Sequence, residues 1–326
     1  MTTKTVSRPQ AAGSAKTKPS IFIDGEAGTT GLEIRRRVAD VAGLAVKSIA
    51  ADKRKDEAER LKIMGEVDLV VLCLPDDAAR QAVALLDSLG DKAPKVVDAS
   101  TAHRVAPGWV YGFPEMDAAQ TEAVRKARRV TNPGCYPTAA IALIRPLVEA
   151  GLLPADYPLT INAVSGYSGG GRSMIEAHEA GKAPAFELYG LGFEHKHLPE
   201  LQTYAKLTRR PIFVPSVGNY RQGMLVSVPL HLDTLPGKPA ARDLEAALAK
   251  HYAGAKLVKV VPAGDGAAKD KRIEPEALNG TDVLELRVYA SEKYAQAVLV
   301  ARLDNLGKGA SGAAVQCMGL MLGIAT

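Results

Sequence analysis

The stretch TNPGCYPTAA, residues 131–140, sets one cysteine between a Pro-Gly turn and a run of small residues that reads as the start of a helix. Proline is favoured at the first helical position. Pro137 therefore predicts a helix capped by Tyr136, with Cys135 just outside its N-terminus. Unpaired N–H groups and the positive end of the helix macrodipole favour a thiolate there, and the thiolate is the nucleophilic form of cysteine. Asn132 and Gly134 predict an exposed turn around the thiol, with Asn132 on the substrate side. Cys73 in VVLCLP and Cys317 in the last apolar segment read instead as inert buried thiols.

A nucleophilic thiol needs a proton acceptor, and FEHKHLPEL supplies His195 and His197, alternate residues that share one face of an extended segment. Which of the two is the base stays open. No third ligand stands at a recognisable metal spacing, so no metal site is predicted. His103, His178 and His231 have no comparable setting and read as surface or hydrogen-bonded histidines.

Two glycine-rich turns each follow a strand pattern and open a helix. In IFIDGEAGTTGLEI, Gly25, Gly28 and Gly31 allow a tight turn, and the helix beginning near Thr29 and Thr30 offers free N–H groups to a pyrophosphate. Some twenty residues on, AADKRKDE holds one carboxylate, Asp52, against Lys53, Arg54 and Lys55. Arg54 and Lys55 favour the 2′-phosphate of NADP(H) over a free ribose hydroxyl. Ser100, closing the run PKVVDAS, is placed with the cofactor-binding residues. In AVSGYSGGGRSM, the segment from Ser165 through Ser168, Gly169 and Gly170 to Arg172 predicts a backbone cradle for an oxyanion or phosphate. Arg221 in GNYRQGM is a further candidate for holding an anion.

These residues need a scaffold. PSIFIDG, LAVKSIAA, EVDLVVLCLP and PKVVDAS are short β-branched apolar runs alternating with helical patterns such as TTGLEIRRRVAD and DDAARQAVALLDSLG. That alternation predicts an α/β fold with a Rossmann-like doubly wound parallel sheet. From about residue 158 the runs lengthen, as in LTINAVSG, IFVPSVGN, MLVSVPLHLD, DVLELRVYAS and AQAVLVARLD. They predict a second, α+β catalytic domain on a mixed or antiparallel sheet.

With 326 residues, two domains are expected. The predicted limits are a disordered basic tail over 1–19, a cofactor domain over 20–134 plus 305–326, and a catalytic, substrate-binding and oligomerisation domain over 135–304. Lys4, Arg8, Lys16 and Lys18 account for four of the five net positive charges, so the folded part is nearly neutral. With 5% aromatic residues and no basic cluster on the body, a nucleic-acid partner is set aside. The chain has no apolar run of membrane-spanning length. Three widely spaced cysteines argue for a reducing compartment, and a cytoplasmic protein is expected. The acid-free tail also fits a transit peptide in composition, but it lacks an amphipathic stripe.

Together FIDGEAGTTGLEIRRR, NPGCYPTA, VSGYSGGGRSM, EHKHLPEL and DNLGKGASGAAVQCM resemble the shorter type of N-acetyl-γ-glutamyl-phosphate reductase, an enzyme of arginine biosynthesis. The resemblance runs from about residue 20 to the C-terminus. It implies a Rossmann domain joined to a catalytic domain like that of glyceraldehyde-3-phosphate dehydrogenase, with NADP(H) as cofactor and Cys135 as the catalytic cysteine. The histidine motif falls on His195 and His197. The closing segment falls on Asn305 through Ala310, with Lys308 and Gly309 near the nicotinamide, and returns the last helix to the cofactor domain. An acyl phosphate is the implied substrate, and a homodimer or homotetramer the implied assembly. The rival readings are an aspartyl-phosphate or carrier-linked aminoadipyl-phosphate reductase of the same architecture, and a non-catalytic NADPH-sensing module.

Overall fold

The computed structural model describes residues 18–39, 41–263 and 271–326, so nearly all of the basic tail lies outside the described residues. The first sheet is built from β1 (Ser20–Asp24), β2 (Ala45–Lys47), β3 (Leu69–Leu72), β4 (Lys95–Asp98), β5 (Val110–Tyr111) and β6 (Arg129–Thr131). Its order is β2-β1-β3-β4-β6-β5, with every neighbouring pair parallel. Alternation along the strands splits their side chains between two cores. Phe22, Val70, Leu72 and Val96 pack with Met64 of α2 (Glu57–Met64) and with Ala82, Val83 and Leu86 of α3 (Asp76–Ser88). Ile21, Ile23, Leu69, Val71 and Val97 face the other way, against Ile34 and Val38 of α1 (Thr29–Val38) and Val124 of α4 (Gln120–Lys126).

The chain leaves β1 for β2 on one side and returns to β3 on the other. The turn after β1 therefore lies at the topological switch point, where the crevice of a doubly wound sheet takes its ligand.

The second sheet contains β7 (Thr160–Gly166), β8 (Phe186–Leu188), β9 (Ile212–Gly218), β10 (Met224–His231), β11 (Val258–Val260), β12 (Leu284–Ser291) and β13 (Gln296–Leu303). Its order is β11-β12-β13-β10-β7-β9-β8. It is mixed: β12, β13, β10 and β7 pair antiparallel in succession, whereas β11 pairs parallel with β12 and β7 parallel with β9. One face is filled by α5 (Cys135–Glu149), in which 12 of 15 residues are buried, as suits a helix that is apolar nearly all round. Helix α6 (Arg172–Glu179) follows β7. Leu198 and Leu201 of α7 (Leu198–Tyr204) and Leu244 and Leu248 of α8 (Ala241–His251) complete this core.

On the opposite face the strands present Val164, Val214, Leu225, Pro229 and Val298, together with Arg287 and Arg302 around Glu285. Val298 and Pro229 are exposed there.

After β13 a π-helical turn (Gly307–Ser311) leads into α9 (Gly312–Leu322). Ala314, Val315, Cys317, Met318 and Met321 of α9 lie in the core of the first sheet, beside Ile21 and Val97. The last helix thus returns across the molecule. An ion pair at 2.8 Å between Arg37 of α1 and Asp282, just before β12, ties the two halves on another path.

Candidate active site

A cleft of about 320 Å³ opens between the C-terminal ends of the parallel strands and the ends of β7 and β9. Thr29 and Thr30 reach it from the turn after β1, Ala99 and Arg104 from the segment after β4, and Asn132 to Tyr136 from the step between β6 and α5. Ser165 to Gly171 enter after β7, His195 to His197 before α7, and Asn305, Leu306, Gly309 and Ala310 from the segment after β13.

Cys135 is the first residue of α5 and Gly134 is its N-cap. The helix thus begins two residues earlier than the proline predicted, and the thiol belongs to its first turn. The preceding turn is buried rather than exposed, with Asn132 only 2% accessible. Its glycine is required, because a Cβ on Gly134 would stand 2.7 Å from Arg104 Nη1, Glu200 Oε1 and His197 Nε2 at once. Burial pushes the Cys135 thiol up to about 11, against the pull of the Tyr136 and Cys135 N–H groups and the Arg104 guanidinium. The expectation of a resting thiolate is therefore corrected. The helix N-terminus does donate to the sulfur, but desolvation outweighs it, and the unliganded protein holds a neutral thiol that must be deprotonated.

Beneath the thiol lies a network that residue-by-residue reading of the sequence missed. Glu200, 1% exposed, accepts from Arg104 Nη1, from Tyr111 Oη at 2.7 Å and from the Gly134 N–H at 3.0 Å. Arg104 Nε donates to the Asn132 carbonyl at 3.1 Å. Its remaining amino group has no protein partner among the described residues, and the residue lines the cleft. The signal for Arg104 was its place just beyond a parallel strand, in DASTAHR. For Glu200 it was a carboxylate three residues after the second histidine.

Burial holds His195 down to about 4, with Lys196 and Arg104 adding to the effect. Burial also holds His197 well below the ordinary imidazole value. Both are neutral bases at physiological pH. His195 Nδ1 accepts the His197 backbone N–H at 3.2 Å, which puts the proton of the neutral ring on Nε2 and makes that atom a donor. His197 Nδ1 is buried without a partner among the described residues.

At the cofactor end, Gly25 has φ +91° and a Cβ there would fall 2.3 Å from the Cys73 carbonyl oxygen, so only glycine turns the chain this closely. Gly28 caps α1 without a side-chain hydrogen bond, and the first turn of α1, which begins just before Gly31, carries no acid. The helix N-terminus is thereby left open to an anion, and these residues fit a dinucleotide pyrophosphate.

Curated relatives match almost the whole chain. N-acetyl-γ-glutamyl-phosphate reductase 2 from Pseudomonas putida is 53% identical over 94% of this chain and 97% of its own length, and the N-acetyl-γ-glutamyl-phosphate reductase of a Chelativorans species is 54% identical over 93% and 97%. The chain belongs to the N-acetyl-γ-glutamyl-phosphate reductase family. Within this chain, residues 31–124 match the semialdehyde dehydrogenase NAD binding domain and residues 135–305 the semialdehyde dehydrogenase dimerisation domain. Among solved structures, aspartate semialdehyde dehydrogenase from Francisella tularensis superposes with a TM-score of 0.70 at 12% identity, covering 93% of this chain and 99% of that one. The enzyme from Candida albicans with NADP gives 0.62 at 13%, covering 93% and 98%. At these identities the likeness is one of fold, and it matches the expected parallel sheet joined to a mixed one.

Placed against this family's cleft, the expected site residues divide. Cys135, His195, His197, Thr29, Thr30, Asn132, Ser165, Ser168, Gly169, Gly170, Asn305 and Gly309 all line it. Lys308 does not: it is buried, its Nζ bonded to Glu115 and Gln316 at 2.7 Å each, so it anchors the π-turn instead of meeting the nicotinamide. Ser100 is spent on Asp98 at 2.8 Å, and Arg221 pairs with Glu179. Arg172 reaches the Ala27 carbonyl at 3.3 Å. Arg54 pairs with Glu26 at 3.3 Å, whereas Lys55 is exposed and makes no ion pair among the described residues. The second glycine turn is closed as a cradle over its first half. The N–H groups of Gly166, Tyr167 and Ser168 are bonded to the carbonyls of Gly223, Tyr220 and Arg221, because the turn packs against the loop before β10.

Proposed function

We propose that this protein reduces N-acetyl-γ-glutamyl phosphate to N-acetylglutamate 5-semialdehyde and phosphate, with NADPH as the reductant, in arginine biosynthesis. The observation that carries the reading is the position of Cys135. It sits on the first turn of α5, in one cleft with Arg104, His195 and His197, across from the glycine turn at the switch point. Relatives at 53–54% identity carry the name of this acyl-phosphate reductase, which favours it over the aspartyl and aminoadipyl alternatives. Its two neutral histidines and its partly exposed thiol favour an enzyme over a silent sensing module.

In this reading a neutral imidazole takes the Cys135 proton. His197, whose Nδ1 has no partner among the described residues, fits that role. The sulfur attacks the acyl carbon, the C–S bond forms as the C–O bond to phosphate breaks, and phosphate leaves a thioester on Cys135. The free amino group of Arg104 faces the departing anion, and His195 Nε2–H donates to the oxygen that gains charge. NADPH, when bound by the α1 N-terminus with Thr29 and Thr30, supplies the hydride that reduces the thioester carbon. His195 Nε2–H holds the resulting oxyanion by a hydrogen bond and keeps its proton, so the C=O bond can re-form as the C–S bond breaks. The aldehyde then leaves as sulfur departs and is reprotonated from His197.

Recognition of NADP(H) over NAD(H), residence in the cytoplasm and assembly as a homo-oligomer belong to the same proposal. The outer face of the seven-stranded sheet, with exposed Val298 and Pro229, is the surface for a second copy, and it lies in the segment that matches a dimerisation domain. The test is Cys135→Ser, which removes turnover while NADPH binding, followed by cofactor fluorescence, stays within about twofold. Wild-type protein assayed in reverse with phosphate and NADP should prefer N-acetylglutamate semialdehyde to aspartate semialdehyde. Substantial activity in the serine variant, or the opposite preference, overturns the reading.

A further inference from the structure

Beside the glycine turn, four side chains close on a single point. Glu26, second residue of that turn, accepts through Oε2 from Arg35 Nη1 at 3.0 Å and from Ser48 Oγ at 3.1 Å, and through Oε1 from Arg54 Nη2 at 3.3 Å. Arg35 also donates to Ser48. The donors come from three separate places: α1, the residue after the end of β2, and the turn that precedes α2. With Ala27 and Leu32 they line an open hollow of about 410 Å³. The carboxylate is the covered member, 12% exposed, while Arg35 and Arg54 are 45% and 43% exposed.

Position and charge together define what this cluster takes. Ser48 stands at the end of the second strand, where a doubly wound fold meets the adenosine ribose. Two guanidinium groups and one carboxylate leave a net charge of about +1, whereas a phosphate ester brings close to −2 near neutral pH. If phosphate and carboxylate shared the three donors, the site would be left at about −1 with like charges in contact. If the carboxylate leaves, two cations face one dianion and the charges cancel. Glu26 is attached to a surface turn beside an open hollow and has room to swing out.

The geometry points to Glu26 as a displaceable plug in the seat of the cofactor's 2′-phosphate, a residue that gathers Arg35, Ser48 and Arg54 when the seat is empty and is driven off when NADP(H) binds. Selectivity follows from the exchange. NAD(H) brings nothing to displace the carboxylate, and NADP(H) binds more weakly than the donors alone would allow because only the unplugged fraction is competent. The inference rests on the dinucleotide reading of the glycine turn.

Titration of the full-length protein with NADPH, NADH, adenosine 2′,5′-bisphosphate and 5′-AMP tests it. Glu26→Gln and Glu26→Ala should each tighten NADPH and the bisphosphate by about fivefold while NADH and 5′-AMP move less than about twofold. Arg35→Ala and Arg54→Ala should weaken only the two 2′-phosphate ligands, by about tenfold or more. Weaker or unchanged NADPH binding in both Glu26 variants, with wild type still preferring NADPH, overturns the plug and leaves the cofactor reading standing. A wild type that binds no dinucleotide, or binds NADH as well as NADPH with no effect of Arg35→Ala, overturns both.

Discussion

Glu200→Gln probes the network beneath the nucleophile. The carboxylate is 1% exposed and takes three donors, from Arg104, Tyr111 and Gly134. An amide of the same shape offers one acceptor oxygen and turns an N–H₂ group toward donors that the second carboxylate oxygen had accepted. Removing one member of a buried ion pair costs about 3–5 kcal/mol of stability, so the variant should unfold at a clearly lower temperature. The effect on the thiol runs the other way. The Glu200 charge pushes the Cys135 pKa up and the Arg104 charge pulls it down. With the carboxylate neutralised, Arg104 acts unopposed, and the thiol should fall from about 11 by roughly 1–2 units, the size of shift one nearby charge produces. The assay is the rate of Cys135 alkylation by iodoacetamide against pH, located by peptide mass analysis and run beside thermal unfolding. Alkylation at neutral pH should quicken by about tenfold or more, while kcat/KM falls because the Asn132–Cys135 turn has lost its anchor. A thiol midpoint that stays put or rises, or an unchanged unfolding temperature, would refute the account of this network.

The two histidines separate by the same reagent. His195→Gln and His197→Gln should each lower kcat by about 10²- to 10⁴-fold, but only His197→Gln should slow alkylation of Cys135, and slowing by His195→Gln instead would reverse their assignments. Because burial holds His195 down to about 4, its neutral form is present throughout the physiological range and is lost only as pH falls toward that value. An acid limb in kcat/KM near the ordinary imidazole value would contradict the burial. For the assembly, Val298→Asp places a charge on the exposed outer face of the second sheet and should convert oligomer to monomer in light scattering. An unchanged mass would move the interface elsewhere.

Local pattern carried much of this protein. β-branched runs alternating with amphipathic ones specify a parallel sheet because each strand must be apolar on both faces, and the longer runs past residue 158 marked a second sheet whose strands bury alternate residues against one core. The small-residue closing segment, buried on every side, had to be a core helix, and as α9 it lies against β1 and β4. Glycines at a strand end and a cysteine before a helix were legible because their roles depend on backbone geometry a few residues long.

What the sequence could not disclose was which forces win where distant segments meet. It placed donors around the thiol, but only the packing of Arg104, Glu200 and His197 about Gly134 decided that desolvation would dominate and leave the sulfur protonated. Lys308 stands in the closing motif that the resemblance placed beside the nicotinamide, and its actual partners, Glu115 and Gln316, were settled when α9 folded back. The second glycine turn has the composition of an anion cradle, yet the N–H groups of Gly166, Tyr167 and Ser168 were taken by the loop before β10, and Glu26 took Arg54, one of the two cations expected to meet a phosphate. A side chain's chemistry is intrinsic to its sequence position. Its charge state and its free valences are set by neighbours brought together only in three dimensions.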